Sequence, residues 1–222
     1  MQHQALEGKL GIPIGVDFCL ACRMIWFDHL KELQLAPGGT LSLFATIASP
    51  NAAPPSPLPA SMRCPRCGQH LALTHDMQRA TPFQYWRCEA AHGQLITFVD
   101  FLREKDFVRP LTPSQIDQLR QSVQTVSCGN CGAPIDLAKD SVCAHCGSPV
   151  SILDPGQMAR AVAQLQAAAG RPGVGAPISP DAQTPDLDQL MRVVATEARS
   201  ASPRHELIDI GLQVLNDLLK NW

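Results

Sequence analysis

Aromatic residues, charged residues and long apolar runs are all scarce in this chain of 222 residues. Only 5% of the residues are aromatic and 17% are charged, so the side chains that bury the largest areas are few. Proline, by contrast, occurs 19 times and interrupts the chain repeatedly. This composition does not favour one large hydrophobic core, and we expect small modules joined by linkers.

The sequence also lacks a charge excess and a membrane-spanning segment. Its formal net charge is −2, and no segment carries a concentrated basic stripe, which weakens a nucleic-acid-binding role because phosphate neutralisation supplies much of such affinity. The best apolar stretch, residues 41–48, is far shorter than the ~20 residues of a membrane-spanning helix. The N-terminus has no basic start followed by an apolar core, as a secretory signal would. We therefore expect a cytoplasmic protein with reduced thiols.

Two segments rich in proline or glycine divide the chain. Residues 49–61 contain five prolines in thirteen residues and predict an extended, semi-rigid linker. Residues 170–184 lack hydrophobic periodicity and predict a flexible linker. The predicted parts are an N-terminal half-module with short helices, a cysteine module with following helices, a four-cysteine module, one helix and a C-terminal helical segment. Their bounds are 1–48, 62–126, 127–153, 154–169 and 185–222.

Nine cysteines stand out against this background, and eight of them fall in CxxC pairs. In a reducing compartment such pairs are more typical of metal ligands than of disulfides. Cys128 and Cys131 precede Cys143 and Cys146, and eleven residues separate the two pairs. Two CxxC turns at the ends of a short hairpin can complete a tetrahedral zinc shell. So short a module has too few residues for a hydrophobic core, so we expect zinc to stabilise it.

A second cluster contains the ninth cysteine and a histidine four residues after it. Its ligands would be Cys64, Cys67, Cys88 and His92, with a twenty-residue insert before Cys88. The insert is long enough for two strands, predicted over residues 71–75 and 82–87, with the ligands at one end. The cluster therefore predicts a zinc site of three cysteines and one histidine, with His70 and His75 as alternative imidazoles.

The remaining pair, Cys19 and Cys22, has no second pair within residues 1–60. His3 and His29 are the candidates to complete a site. However, His29 falls in a predicted short helix together with Trp26, and His3 lies in a terminus that is expected to fray. Three interpretations stay open, namely an incomplete zinc-binding module, a reactive dithiol, and a metal shared across a dimer.

The residues around this pair, FCLACRMIWFDHLKEL, resemble the C-terminal half of the transcription factor IIB-type zinc ribbon. The first CxxC of that family would fall upstream of Met1, so the resemblance implies an internal start or the loss of half a ribbon. Arg23 replaces the usual small residue, which makes a positive-φ turn less favourable there. Residues 62–98 and 127–150 resemble further zinc ribbons, and the whole order resembles multi-ribbon bacterial proteins. The matching positions are Cys19, Cys22, Trp26, Asp28, Glu32 and Leu33.

Apolar periodicity and capping residues predict four helices in the rest of the chain. They cover residues 98–105, a segment that starts at 112–114 and runs to about 123, residues 156–169, and residues 205–221. The last of them is strongly amphipathic and must bury its apolar face. We expect it to dock on the rest of the chain or on another copy, or to bind a protein partner.

The predicted fold class is a small, metal-stabilised α+β protein. It consists of tandem zinc ribbons built from short β-hairpins, connecting helices and a C-terminal helical segment. We expect two zinc ions, with a third site incomplete. Because both complete sites present four ligands, no position is open for catalysis, and we expect a non-enzymatic adaptor for protein interactions. Its unknown protein partner would contact residues 205–222, and an oligomer is compatible with the sequence.

Two other functions remain as alternatives. A nucleic-acid-binding or transcription-associated module would use a basic face formed by five arginines. A thiol redox protein would use Cys19 and Cys22. The sequence has no phosphate-binding glycine loop, no GxSxG turn and no HExxH helix that would favour an enzyme. The five arginines are Arg63, Arg66, Arg79, Arg87 and Arg103.

Overall fold

A computed structural model of the chain describes residues 1–49, 58–59, 61–78, 81–170 and 207–220. The fold is of the α+β type, with antiparallel strands and several helices, as the sequence predicts. The strands are β1 (Gln2–Leu6), β2 (Ile14–Cys19), β3 (Met24–Asp28), β4 (Ala72–Gln78), β5 (Thr81–Arg87), β6 (Gly93–Thr97), β7 (Val108–Pro110), β8 (Thr125–Ser127), β9 (Pro134–Asp136) and β10 (Ser151–Leu153). The helices are α1 (Pro37–Ile47), α2 (Phe98–Glu104), α3 (Pro113–Arg120), α4 (Pro155–Ala168) and α5 (Leu207–Leu219).

A six-stranded antiparallel sheet with the order β1-β2-β3-β6-β5-β4 forms the centre of the fold. Its two halves have the same plan, because β1 and β2 form a hairpin followed by β3, and β4 and β5 form a hairpin followed by β6. The third strands of the two halves pair with each other, with Trp26 opposite Leu95. The sheet is therefore pseudo-symmetric about the junction of β3 and β6.

This sheet joins residues from both sides of the proline-rich segment 49–61. The arrangement differs from the separate modules that the composition suggested, because the apolar face of β2 and the strands after it belong to one core. Along β2, Ile14, Val16 and Phe18 are buried while the residues between them are partly exposed, as expected for a strand with one face in the core. The prolines therefore separate the two halves in sequence but not in the sheet.

The few aromatic side chains are concentrated in this core. Of the seven phenylalanines of the chain, six are buried and the seventh, Phe83, packs against the core. Phe44 of α1 lies 4.6 Å from Phe107 and 6.0 Å from Phe101 of α2, measured between ring centroids. A low aromatic content therefore does not prevent a shared core when nearly all of these rings meet in one place.

Local sequence signals place most helices correctly. Thr112 caps α3 in a capping box with Gln115, at the predicted start, although α3 ends at Arg120, earlier than predicted. The predicted short helix containing Trp26 and His29 is wrong. Trp26 lies in β3, whose MIWF run is fully buried between two neighbouring strands, and His29 lies in the following turn.

The N-terminus is ordered into a strand. His3, which was expected to fray, lies in β1 opposite Asp17, and its Nδ1 is 2.8 Å from the Asp17 carboxylate. Pairing with β2 along the whole of β1 supplies the backbone partners that a fraying terminus lacks.

The apolar face of α5 packs on the chain itself. Of the alternatives for this helix, the structure shows docking against α1, α4 and β10. On the polar side, Arg23 Nη1 donates a hydrogen bond to Asp209 Oδ1 at 2.8 Å. Residues 171–184 of the predicted linker 170–184, and residues 185–206, lie outside the described residues. The buried side chains of α5 include Leu207, Ile208, Leu212, Leu215 and Leu219.

Close packing of α5 on β10 makes Gly211 a sensitive position. A Cβ added to Gly211 would lie 2.4 Å from the Cβ of Leu153. We expect Gly211→Ala to lower the free energy of unfolding by about 1–3 kcal/mol in chemical denaturation, although alanine is the better helix former. Gly156→Ala in α4 is the matched control, because its nearest neighbours are side-chain atoms at 3.4 Å. Equal destabilisation of both variants would contradict the packing of α5 on β10.

None of the helices within the described residues is long and apolar enough to cross a membrane.

Candidate metal centres

Cys128, Cys131, Cys143 and Cys146 converge into one cluster, as their spacing predicts. The Sγ atoms of Cys128 and Cys146 are 3.6 Å apart, and so are those of Cys131 and Cys143. With Zn–S bonds of about 2.3 Å, a tetrahedral shell places neighbouring sulfurs about 3.8 Å apart. The cluster could therefore hold a metal ion, and its spacing fits a zinc ion.

The second cluster brings Cys64, Cys67, Cys88 and His92 together. Cys67 Sγ lies 3.7 Å from Cys88 Sγ, and His92 Nδ1 lies 3.5 Å and 3.9 Å from the sulfurs of Cys88 and Cys64. These separations are again those of a tetrahedral shell with three sulfurs and one nitrogen. The alternative imidazoles, His70 and His75, are not members of this group.

The CxxC turns of both clusters share one backbone conformation. In each, the N–H of the first cysteine bonds to the carbonyl five residues on, as from Cys64 to Gln69, Cys128 to Ala133 and Cys143 to Ser148. The residue four positions after the first cysteine is a glycine in the left-handed region, with φ between 70° and 73° at Gly68, Gly132 and Gly147. Glycine adopts this conformation without steric cost, which explains the CxxCG pattern in the sequence.

Cys19 and Cys22 form a turn of the same shape. Cys19 pairs with Met24 five residues on, and Arg23, in the position of the glycines, has φ 52°. Arg23 therefore adopts the left-handed conformation, which is unfavourable for a residue other than glycine. Its guanidinium donates a hydrogen bond to Asp209 of α5. Among the residues that the structure describes, the pair belongs to no group of three or more metal-ligand side chains.

The thiols of the clusters differ in acidity. Cys146 shares a hydrogen bond with the Cys128 thiol, which lowers the pKa of Cys146 to about 4 and raises that of Cys128 far above its usual range. Burial raises the pKa of Cys131 to about 12. In the second cluster, the backbone N–H of His92 lowers the pKa of Cys88 to about 6. Each cluster therefore favours one thiolate, the form that binds a metal ion.

Cys19 and Cys22 share a proton in a similar way. Partial burial raises the pKa of Cys19, but hydrogen bonds from the thiol and the backbone N–H of Cys22 outweigh it, so the net direction is downward. The same thiol contact raises the pKa of Cys22. The Cys22 N–H lies 3.2 Å from Cys19 Sγ, so the pair is arranged as one thiolate and one thiol.

Arg66, inside the CPRC turn of the second cluster, connects this cluster to the N-terminal half of the sheet. Its guanidinium bonds to Asp28 at 2.8 Å and to Asp17 at 2.9 Å. Burial alone would raise the pKa of Asp28, but the hydrogen bonds from Arg66, Lys31 and Trp26 together hold it well below its usual range. Asp28 therefore anchors the CPRC turn of the second cluster to the end of β3.

Asn130 occupies the corresponding position of the CGNC turn and connects the four-cysteine cluster to the other half of the sheet. Its side chain lies 2.6 Å from Thr97 Oγ1, at the end of β6, and 3.2 Å from Ser148 Oγ. Thr97 also bonds to Asp100, and Arg103 bonds to both Asp100 and Ser148. The third residue of a CxxC turn thus contacts the C-terminal end of a central strand in both clusters.

The sequence identified all eight side chains of the two clusters but not their connections. The sequence does not indicate the links through Arg66 and Asn130, because the residues that they contact lie far away along the chain. Arg103, which the nucleic-acid interpretation placed on a basic face, is only 4% exposed and bonds to Asp100. Arg79 lies outside the described residues. Three of the four CxxC turns have a polar residue in this position, namely Arg66, Asn130 and His145, and this was the one signal that could have pointed to the links.

No family model, no curated protein and no solved structure matches this chain.

Proposed function

We propose that this chain is a non-enzymatic zinc-ribbon protein that acts as an adaptor for protein interactions. The observation that carries the zinc assignment is the tetrahedral spacing of the two clusters. Ligand sets of four cysteines, and of three cysteines with one histidine, are typical of structural zinc. The β4–β5 hairpin between Cys67 and Cys88 and the pairing of β8 with β9 around the CGNC turn support the interpretation of both clusters as zinc ribbons.

The number of ligands supports a structural role for both metal ions. A catalytic zinc ion keeps one position free for water or substrate, whereas each cluster here offers four side chains for a tetrahedral shell. The links through Arg66 and Asn130 also make each cluster part of the folded framework. In this proposal the zinc ions stabilise the fold, and the function lies on its surface.

Two exposed loops provide a surface suited to a partner. A bridge between Gly8 and Leu35 joins the loops, which expose Leu10 by 95% and Leu33 by 68%. Leu10 and Leu30 also adopt positive φ, at 60° and 59°, where a leucine is strained. A strained and exposed leucine contributes little to the stability of its own chain, which supports a role in contact with another molecule.

A groove lies beside the loop that carries Leu30 and Leu33. It has a volume of about 640 Å³, and its lining combines apolar, aromatic and charged side chains, among them Leu30, Leu33, Tyr85, Arg87, Glu32 and Glu89. Such a mixture fits a protein interface, in which an apolar centre is surrounded by a polar rim. The loops and the groove together replace residues 205–222 as the proposed contact, because the apolar face of α5 is buried in the chain.

The placement of the arginines gives less support to nucleic-acid binding. Arg103 is buried, and Arg66 is held by two aspartates, so neither is free to neutralise a phosphate. Arg63 and Arg87 are exposed, but two cations make a weak electrostatic footprint. A salt-sensitive shift of DNA or RNA by the purified protein would reverse this preference.

Substitution of the exposed leucines tests the adaptor role. We expect the double variant Leu10→Asp/Leu33→Asp to retain both zinc ions and the native circular dichroism spectrum. The amount of partner protein that copurifies with it should fall by tenfold or more relative to the native chain, which corresponds to a loss of about 1.4 kcal/mol of binding free energy. Val142→Asp is the matched control, because Val142 is also exposed, by 46%, but lies in the four-cysteine ribbon.

Quantitative mass spectrometry of the captured proteins measures this effect. An unchanged set of captured proteins for the double variant, or an equal loss for Val142→Asp, would contradict the proposed surface.

A further inference from the structure

Strand β4 forms one edge of the six-stranded sheet, and within the described residues no strand pairs with its outer side. It is seven residues long and has the sequence ALTHDMQ. Natural edge strands are usually protected from pairing with other chains by lysine, proline or a bulge. β4 contains no lysine and no proline, and it pairs with β5 without interruption from Ala72 to Gln78.

Exposed apolar side chains occur at symmetric positions of this edge. Leu73 is 49% exposed and Met77 is 61% exposed, and both lie two residues from His75. Since side chains alternate along a strand, these three residues share one face. The opposite edge strand, β1, has no comparable pair, because its only large apolar residue, Leu6, is buried.

The backbone of β4 has donors that point away from the sheet. The Met77 N–H bonds to the side chain of its neighbour Asp76 at 2.8 Å and lies opposite Pro82, which has no N–H. Because the hydrogen-bonding direction alternates along a strand, the N–H groups of Leu73 and His75 point the same way as that of Met77. The odd-numbered residues thus present their backbone groups to the outside.

From this pattern we infer that β4 pairs antiparallel with β4 of a second copy of the chain, about a twofold axis at His75. In this register Leu73 faces Met77 of the second copy, so odd-numbered residues face odd-numbered residues and their outward backbone groups meet. Asp76, the one carboxylate of β4, faces Thr74 of the second copy rather than another carboxylate. The strand is therefore self-complementary in its backbone, its apolar residues and its charge.

This pairing joins two central sheets into one and is independent of the proposed adaptor function. The leucines of the adaptor surface lie between β1 and β2 and after β3, not on β4. In the single chain the Met77 N–H donates a hydrogen bond to the Asp76 carboxylate. In the dimer a backbone carbonyl of the second copy would accept this hydrogen bond instead. Side-chain bonds of this kind are weak enough to be exchanged for a strand ladder.

A charge-exchange experiment tests both the dimer and its register. The native full-length chain should sediment as a dimer in analytical ultracentrifugation. Leu73→Lys places a lysine opposite Met77 of the second copy, and Met77→Glu places a glutamate opposite Leu73 of the second copy. Because the dimer is twofold symmetric, each substitution introduces two such pairs. We expect each single variant to weaken the dimer by about tenfold or more. The double variant Leu73→Lys/Met77→Glu places opposite charges face to face and should restore the native dissociation constant.

Val142→Lys serves as the matched control, since Val142 is also exposed, by 46%, but lies outside both β4 and the adaptor surface. It should dimerise as the native chain does, and zinc content should stay constant in all variants. A native chain that remains monomeric at all concentrations would overturn the inference. So would a double variant as weak as the single variants, single variants that dimerise normally, or a loss of the dimer in Val142→Lys.

Discussion

In the proposed zinc protein, where each cluster would hold one ion, replacement of Cys143 by serine should lower the zinc content from two ions per chain to one. The serine leaves three sulfurs in the four-cysteine cluster, and a structural zinc ion supplies about 10–16 kcal/mol of apparent binding energy to such a module. The small core around the cluster includes the ligands themselves, with Cys131 fully buried. We therefore expect residues 127–150 to lose amide-exchange protection, while the second cluster keeps its metal.

Elemental analysis and hydrogen exchange of the purified variant measure this outcome. Cys22→Ser is the matched control, because Cys22 is exposed and belongs to no cluster among the described residues. It should leave the zinc content unchanged. A loss of zinc in this control would show that Cys19 and Cys22 bind a metal, and retention of both ions by Cys143→Ser would contradict the proposed four-cysteine site.

Removal of the buried cation Arg103 should have the second large effect. Asp100 is 0% exposed and Arg103 is 4% exposed, and their side chains meet at 2.9 Å. Arg103→Met leaves the Asp100 carboxylate buried without its cation, which should lower the free energy of unfolding by about 3–5 kcal/mol. Lys139→Met is the control, because Lys139 and Asp136 form an ion pair of the same i, i+3 spacing on the surface, where about 0–1 kcal/mol is expected.

The pH dependence of Arg103→Met offers an independent check. Burial raises the pKa of Asp100, so the folded state disfavours its ionisation, and stability falls as the pH rises from the unfolded-state pKa to the folded-state pKa. Without Arg103 this loss should be larger, and the variant should recover stability relative to the native chain as the pH is lowered. The double variant Asp100→Asn/Arg103→Met should be more stable than Arg103→Met at neutral pH. Denaturant titrations measure the free energy of unfolding of Arg103→Met and of the native chain at low and at neutral pH. An equal difference between the two proteins at both pH values would contradict this account.

The side chains of the two clusters were predictable from the sequence because the spacing of metal-binding residues is a local pattern. CxxCG fixes two sulfurs and a left-handed glycine within five residues, and Thr112 with Gln115 fixes the start of α3 in the same way. Such patterns depend on few neighbours, so they survive in any fold that contains them.

The shared sheet was not predictable because its central pairing is non-local. β3 and β6 are about seventy residues apart, and no feature of MIWFD identifies GQLIT as its partner. The same applies to Arg66, which meets Asp17 and Asp28 only after the two halves of the sheet have joined. Arg23 shows a further limit of prediction from the sequence. Its backbone adopts a strained, positive φ, and its side chain makes a hydrogen bond to Asp209, which is far away along the chain.

The place of α5 in the core has a consequence for biosynthesis. Residues 207–219 leave the ribosome after every other described segment, yet Ile208 and Leu215 complete the core between α1, α4 and β10. During translation the nascent chain can therefore bring both cysteine clusters together while an apolar surface over Leu153 is still uncovered. Until α5 arrives, that surface is open to aggregation or to chaperones, so the docking of α5 is the step that protects the chain from both.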